Sequence, residues 1–139
     1  MTINSTPEQN KEVVRRYIEE CLNQGNMDLI DTIFAPDMRE KVKAFHAGNA
    51  GPFDDGQEEI KDLVADGDKV MARWIFRATH AGEFFGIAAT GKQVEVTGYS
   101  LYCFENGQIV WDTMSMDWLH TLEELGATIG PAAVSAEPA

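Results

Sequence analysis

Residues 69–80 read KVMARWIFRATH, and Val70, Ala72, Trp74, Phe76 and Ala78 fall on one face of an extended chain. A period of two belongs to a strand with one buried side. VEVTGYSLYCF (94–104) and IVWDTMSM (109–116) are two further β-rich runs, joined through the hairpin dipeptide Asn106-Gly107. The chain before them has helical spacing instead. Helices first and strands later predict an α+β domain with an antiparallel sheet.

Thr6-Pro7-Glu8-Gln9 reads as an N-cap, a proline at the first helical position and a capping-box glutamine. Val13, Val14, Tyr17, Ile18, Cys21 and Leu22 then form an apolar stripe that Gly25 ends. Leu29, Ile30, Ile33 and Phe34 mark a short second helix, stopped by Ala35-Pro36-Asp37. Residues 38–57 read as a third short helix and a Gly/Pro loop. EEIKDLVADGD (58–68) is ambiguous, since Ile60, Leu63 and Val64 have helical spacing while Asp66-Gly67 signals a hairpin turn. DWLHTLEELG closes the pattern as a short helix.

At 139 residues the chain forms one domain, 1–139, with an ordered core of about 6–128 and a Pro-rich, frayed tail at 129–139. A net charge of −12 with scattered basic residues argues against nucleic acid and anionic membrane surfaces. No apolar run is long enough to span a bilayer, and the first residues lack the pattern of a signal peptide. Cys21 and Cys103, far apart and outside any C-x-x-C, predict reduced thiols in a cytoplasmic protein.

GIAATGKQ (86–93) nearly matches a phosphate-binding loop, but Gln93 replaces the magnesium-binding hydroxyl and a strand follows where a helix is required. We read it as a connection between strands. His46, His80 and His120 lack metal-ligand spacing, so no metal is expected. No serine or cysteine lies in a nucleophile elbow.

NKEVVRRYIEECLNQGNMDLIDTIFAPD, GDKVMARWIFRATHAGEFFGIAATGKQVEV, ENGQIV and LEELG resemble the SnoaL-like polyketide cyclases and ester cyclases, of the nuclear transport factor 2-like and ketosteroid isomerase-like superfamily. The resemblance spans roughly residues 10–126, and its T-H-x-G-x-F-x-G-I-x-x-T-G block is its most specific part. It implies a cone-shaped, strongly curved antiparallel sheet wrapped around N-terminal helices, an apolar pocket inside the cone and a homodimer. It also tilts residues 58–68 towards strand. The implied chemistry is intramolecular aldol ring closure on a small apolar polyketide-like molecule, without metal or cofactor. A proton between carbonyls leaves a delocalised enolate, so one carboxylate of suitable pKa suffices, and an apolar pocket raises that pKa.

Two departures qualify this. The family's catalytic aspartate falls on Met114 and a nearby histidine on Ser100, and methionine accepts no proton. The third-helix region between Asp37 and Asp66 is also shortened, which opens the mouth of the cone or leaves it to a partner. A non-catalytic binding protein of the same fold, or an isomerase or accessory activity, is therefore the alternative.

Asp112 is the candidate replacement. A plain two-residue turn pairs Tyr102 with Trp111; a three-residue loop with a glycine bulge pairs Tyr102 with Asp112 and turns both into the cone. On the second reading Asp112 is a relocated base beside a phenol; otherwise it is solvated at the rim or tied structurally to Tyr102. Asp117 fits a helix N-cap better than a base, although it falls near the expected pocket. His80 shares the parity of Trp74 and Phe76 and is the third catalytic candidate. Tyr17, Leu22, Trp74, Phe76, Ser100, Met114 and Asp117 are the expected substrate-contacting positions.

Overall fold

A computed structural model describes residues 4–48, 51–128 and 130–131, so the expected frayed tail at 129–139 falls almost entirely outside the described residues. Helix α1 (Pro7–Arg16) starts at the predicted capping box, in which Gln9 N–H donates to Thr6 Oγ1 at 3.1 Å and Thr6 N–H donates to Gln9 Oε1 at 2.9 Å. It continues as wider π-turns over Tyr17–Asn23 and ends before Gly25, whose φ of 78° favours glycine. A single 3₁₀ turn (Met27–Leu29) leads into α2 (Ile30–Ile33), and α3 covers Arg39–Gly48.

Four antiparallel strands follow in chain order, β1 (Phe53–Asp66), β2 (Lys69–His80), β3 (Gln93–Glu105) and β4 (Gln108–Met116), forming an unclosed, curved sheet. Helix α4 (Trp118–Glu124) closes the described chain. The segment 86–92 is a loop running into β3, and the two cysteines are unpaired.

Two sequence expectations change at β1. Residues 53–57, read as loop, are strand, and the ambiguous segment after them is strand throughout. A bulge explains the deceptive helical spacing: Ile60 pairs with Trp74 and Asp62 with Arg73, leaving Lys61 as an extra residue. The inward parity therefore passes from Glu58 and Ile60 to Leu63 and Ala65. A three-residue step between apolar positions mimics a helix turn but is a parity change.

The concave face holds the core. Val14, Ile18 and Cys21 of the first helical segment pack against Val70, Ala72 and Trp74 of β2, with Phe34 and Ile109 closing one end. Trp74 is 2% exposed and fills the centre of the curve. Its ring rests on Gly98, where an added Cβ would stand 2.2 Å from the indole. Where the sequence predicts an apolar hollow, Trp74, Tyr17, Tyr102 and Phe34 occupy the middle of the curve. Concavities instead open to solvent. One of about 390 Å³ runs between the first helix and β1, and one of about 850 Å³ lies between the N-cap of α1 and the hairpin turns.

Candidate functional site

The β3–β4 hairpin decides where Asp112 points. Asn106 and Gly107 have φ of 52° and 78°, and the pairs Glu105↔Gln108 and Phe104↔Ile109 enclose them as a two-residue turn. Val110 is then extra, because Cys103 pairs with Trp111 and Tyr102 with Asp112. The expected pairing is present, but through a bulge within β4 instead of a three-residue loop. Since opposed residues share a face, Asp112 and Met114 join Tyr102 and Ser100 on the concave side, and Trp111 turns outward, half exposed.

Two separate polar pairs lie on this inner wall. Trp74 Nε1–H donates to Ser100 Oγ at 2.9 Å, and Tyr102 stands two residues further along the same face of β3. Tyr17 lies edge-on to Tyr102 with ring centroids 6.2 Å apart, and its hydroxyl is 2.6 Å from His46 Nε2. Burial, reinforced by neighbouring negative groups that include Asp112 and Glu58, raises both phenols, so they remain protonated hydrogen-bond groups. Burial lowers His46, which keeps its imidazole neutral. Asp112 is open to water on one side, while protein packed on the other desolvates it and raises its pKa. Met114, two residues further along the same face, is 47% exposed.

His80 is elsewhere. It is fully buried, and its Nδ1 accepts the Thr90 N–H at 3.2 Å and lies 2.9 Å from Thr90 Oγ1. Its ring packs beside Phe53 in a second cluster that includes Phe76, Phe84 and Trp118. The structure thus brings Asp112 and Tyr102 together and sets His80 and Phe76 apart from them. Leu22 packs half-buried against the core. Asp117 caps α4, its carboxylate accepting the His120 N–H at 3.4 Å. Among the described residues no three acidic, histidine or cysteine side chains converge as metal ligands.

Sequence reading passes over Glu58 and Asn23. Glu58 occupies an inward position of β1 opposite Phe76, and burial pushes its carboxyl up to about 7. Asn23, the last residue of the π-turns, grips the Glu58 backbone with two 2.7 Å bonds, its Nδ2 donating to the carbonyl and its Oδ1 accepting the N–H. The available signal was Glu58 sharing parity with Ile60, hidden by the helix-like spacing beyond.

A shallow cone of antiparallel strands over N-terminal helices, with acids and phenols on the inner wall, defines an α+β small-molecule-binding fold. The chain belongs to the SnoaL-like polyketide cyclase family, whose sequence profile matches residues 12–125. Among solved structures it is similar to IdmH of Streptomyces antibioticus, a proposed polyketide cyclase, at 25% identity over 86% of this chain and 99% of that one, with a TM-score of 0.75. AclR of Streptomyces galilaeus, a proposed hydroxylase, is also 25% identical over 87% and 98% of the two chains, at a TM-score of 0.75. A proposed SnoaL-like polyketide cyclase from Jannaschia Sp. CCS1, at 21% identity over 91% and 99%, shares the fold with a TM-score of 0.78. No curated protein sequence matches the chain at a significant level.

Proposed function

We propose that this protein binds a small, largely apolar, polyketide-like molecule against the β4 side of the concave face and moves a proton on it without a cofactor. Ring closure by an aldol step is the reaction in view. Asp112 takes a proton from a carbon next to a carbonyl, and the ligand lies against the exposed side of Asp112 and Met114, with the buried phenols of Tyr102 and Tyr17 packed behind them. The placement of Asp112 on the inner face, opposite Tyr102 and partly desolvated, carries this reading. A carboxylate raised towards neutrality is a better base for a weakly acidic carbon.

Hydrogen exchange at the carbons flanking the carbonyl of 2-tetralone, followed by proton NMR in D₂O, tests it. The protein should accelerate exchange, and Asp112→Asn should slow it by about 100-fold or more without loss of fold. Exchange no faster than in buffer would remove the catalytic assignment. The binding-only alternative has an observation of its own in its favour: Trp74 fills the centre of the curve, and the family resemblance puts Met114 where the acid is expected. In that case 2-tetralone shifts protein resonances but gains no deuterium.

The partner we propose is a second copy of the chain, packed on the convex face where Met71, Tyr99 and Trp111 are exposed around Leu101. No helix among the described residues is long and apolar enough to cross a membrane.

A further inference from the structure

We propose that His80 and Thr121 form a binding site for one internal water molecule, which bolts α4 to the sheet. Asp112 lies in the row of Tyr102 and Val70, at the opposite end of β2 from His80, so this site is independent of the proton-transfer reading above. It gives His80 the role of an anchor.

The hydrogen bonds of His80 fix its tautomer. A backbone N–H can only donate, so the Nδ1 that accepts from Thr90 carries no hydrogen, and the neutral ring holds its hydrogen on Nε2. Thr90 Oγ1 lies on the same nitrogen and accepts the Lys92 N–H, which holds the ring in place. Nε2–H is therefore a donor. It is sealed from solvent, and no acceptor meets it among the described residues. Thr121 Oγ1 is in the same condition. A helical threonine can bond the carbonyl one turn back, but this hydroxyl has no partner among the described residues and the side chain is fully buried.

The packing of α4 brings the two atoms to one place. Trp118, Thr121 and Leu125 follow each other on its inner face at helical spacing. Trp118 stacks on Phe53 with ring centroids 5.6 Å apart. Phe53 is the direct partner of His80 across the β1–β2 ladder, their rings 5.9 Å apart. Leu125 packs with Ala78, the residue before His80 on the same face of β2. Lys92 closes another side: its carbonyl accepts the His80 N–H at 2.8 Å, and its Nζ donates to the Glu124 carbonyl at 3.3 Å. Thr121, between Trp118 and Leu125, is thereby set over the stretch of β2 that ends in His80.

One water serves both groups. Its oxygen accepts Nε2–H and shares a hydrogen bond with the Thr121 hydroxyl, giving two of the roughly two to four partners that a buried water takes. Without these bonds each group would bear the cost of its own desolvation. The rings of Phe53, Phe84 and Trp118 pack together beside the site and shield it from bulk solvent. Neither open concavity is lined by His80 or Thr121, so the site is the size of a water and not of a larger ligand.

NMR of the full chain labelled with ¹⁵N at histidine tests the site, beside thermal melts of wild type, Thr121→Ser and Thr121→Val. In wild type, His80 should have a bare Nδ1 and an Nε2–H signal. That signal should receive dipolar transfer, opposite in sign to chemical exchange, from a water that also contacts the Thr121 methyl. Thr121→Ser should keep the transfer to Nε2–H. Valine and threonine are alike in shape and helix propensity, so the melt of Thr121→Val reports the hydroxyl, and it should be lower than wild type by about 3 °C. A Thr121→Val protein that melts at or above wild type overturns the site, because an unpartnered buried hydroxyl is better replaced by a methyl. A hydrogen on Nδ1, an Nε2–H without transfer from water, or a water that does not touch Thr121 overturns it equally. These signals are read in wild type and decide the matter even if the valine variant fails to fold.

Discussion

Glu58 shows how a single inward acid contributes to the pH response of the fold. Its folded pKa is raised from 4.5 to about 7, so between those values the folded chain holds a proton that the unfolded chain has released. The Glu58 contribution to stability is therefore greatest below pH 4.5, falls as pH rises through about 7 and is flat above. Glu58→Gln should remove this decline, gaining on the wild type by on the order of 3 kcal/mol at most between pH 4 and 8. Urea titrations at the two pH values measure it, and parallel declines in both proteins would show that Glu58 is not desolvated. Gly98 is constrained by volume instead: with the Trp74 ring 2.2 Å from the site of a Cβ, Gly98→Ala should cost about 1–3 kcal/mol in thermal unfolding. At Asp117 the capping bond is long, so Asp117→Ala should cost about 0.5–1 kcal/mol in the same measurement and Asp117→Ser much less.

At the scale of elements, bulges and one clamp do what regular alternation does not. Lys61 shifts the parity of β1 midway, and Val110 shifts that of β4, so Asp112 reaches the concave face although the hairpin turn has two residues. Neither bulge has a clear mark in the sequence, because a bulged residue is read as one more strand residue. The Asn23 side chain ties the end of the first helical segment to β1 at two points. Asn23→Ala should leave both Glu58 backbone groups without these partners and cost about 1–3 kcal/mol in urea unfolding. Accelerated amide exchange at Glu58 should accompany that loss; unchanged exchange would mean that the clamp does not hold the strand.

For the whole molecule, the dominant long-range quantity is the net charge of −12. Surface pairs such as Arg73–Asp62 at 2.6 Å and Arg77–Glu59 at 2.7 Å are solvated and contribute little individually. Net self-repulsion of the acidic surface should therefore outweigh them, and raising NaCl from about 20 mM to about 0.5 M should increase the melting temperature. A melting temperature that falls instead would assign the balance to the ion pairs. The proposed dimer makes a separate demand: Trp111→Lys, on the convex face, should shift sedimentation from dimer to monomer while leaving the concave face folded.

The element types outside β1, the capping box, the helix stop at Gly25 and the inward face of β2 were legible in the sequence, since each follows from local spacing or one residue's backbone preference. The family was legible too, in the T-H-x-G-x-F-x-G-I-x-x-T-G block. The orientation of Asp112, the inward acid at Glu58 and the filling of the cone by Trp74 depend on which residues a strand sets opposite each other and on how far the sheet curves. Those are decided only by contacts between segments distant in the chain, because a one-residue slip inverts every side chain beyond it.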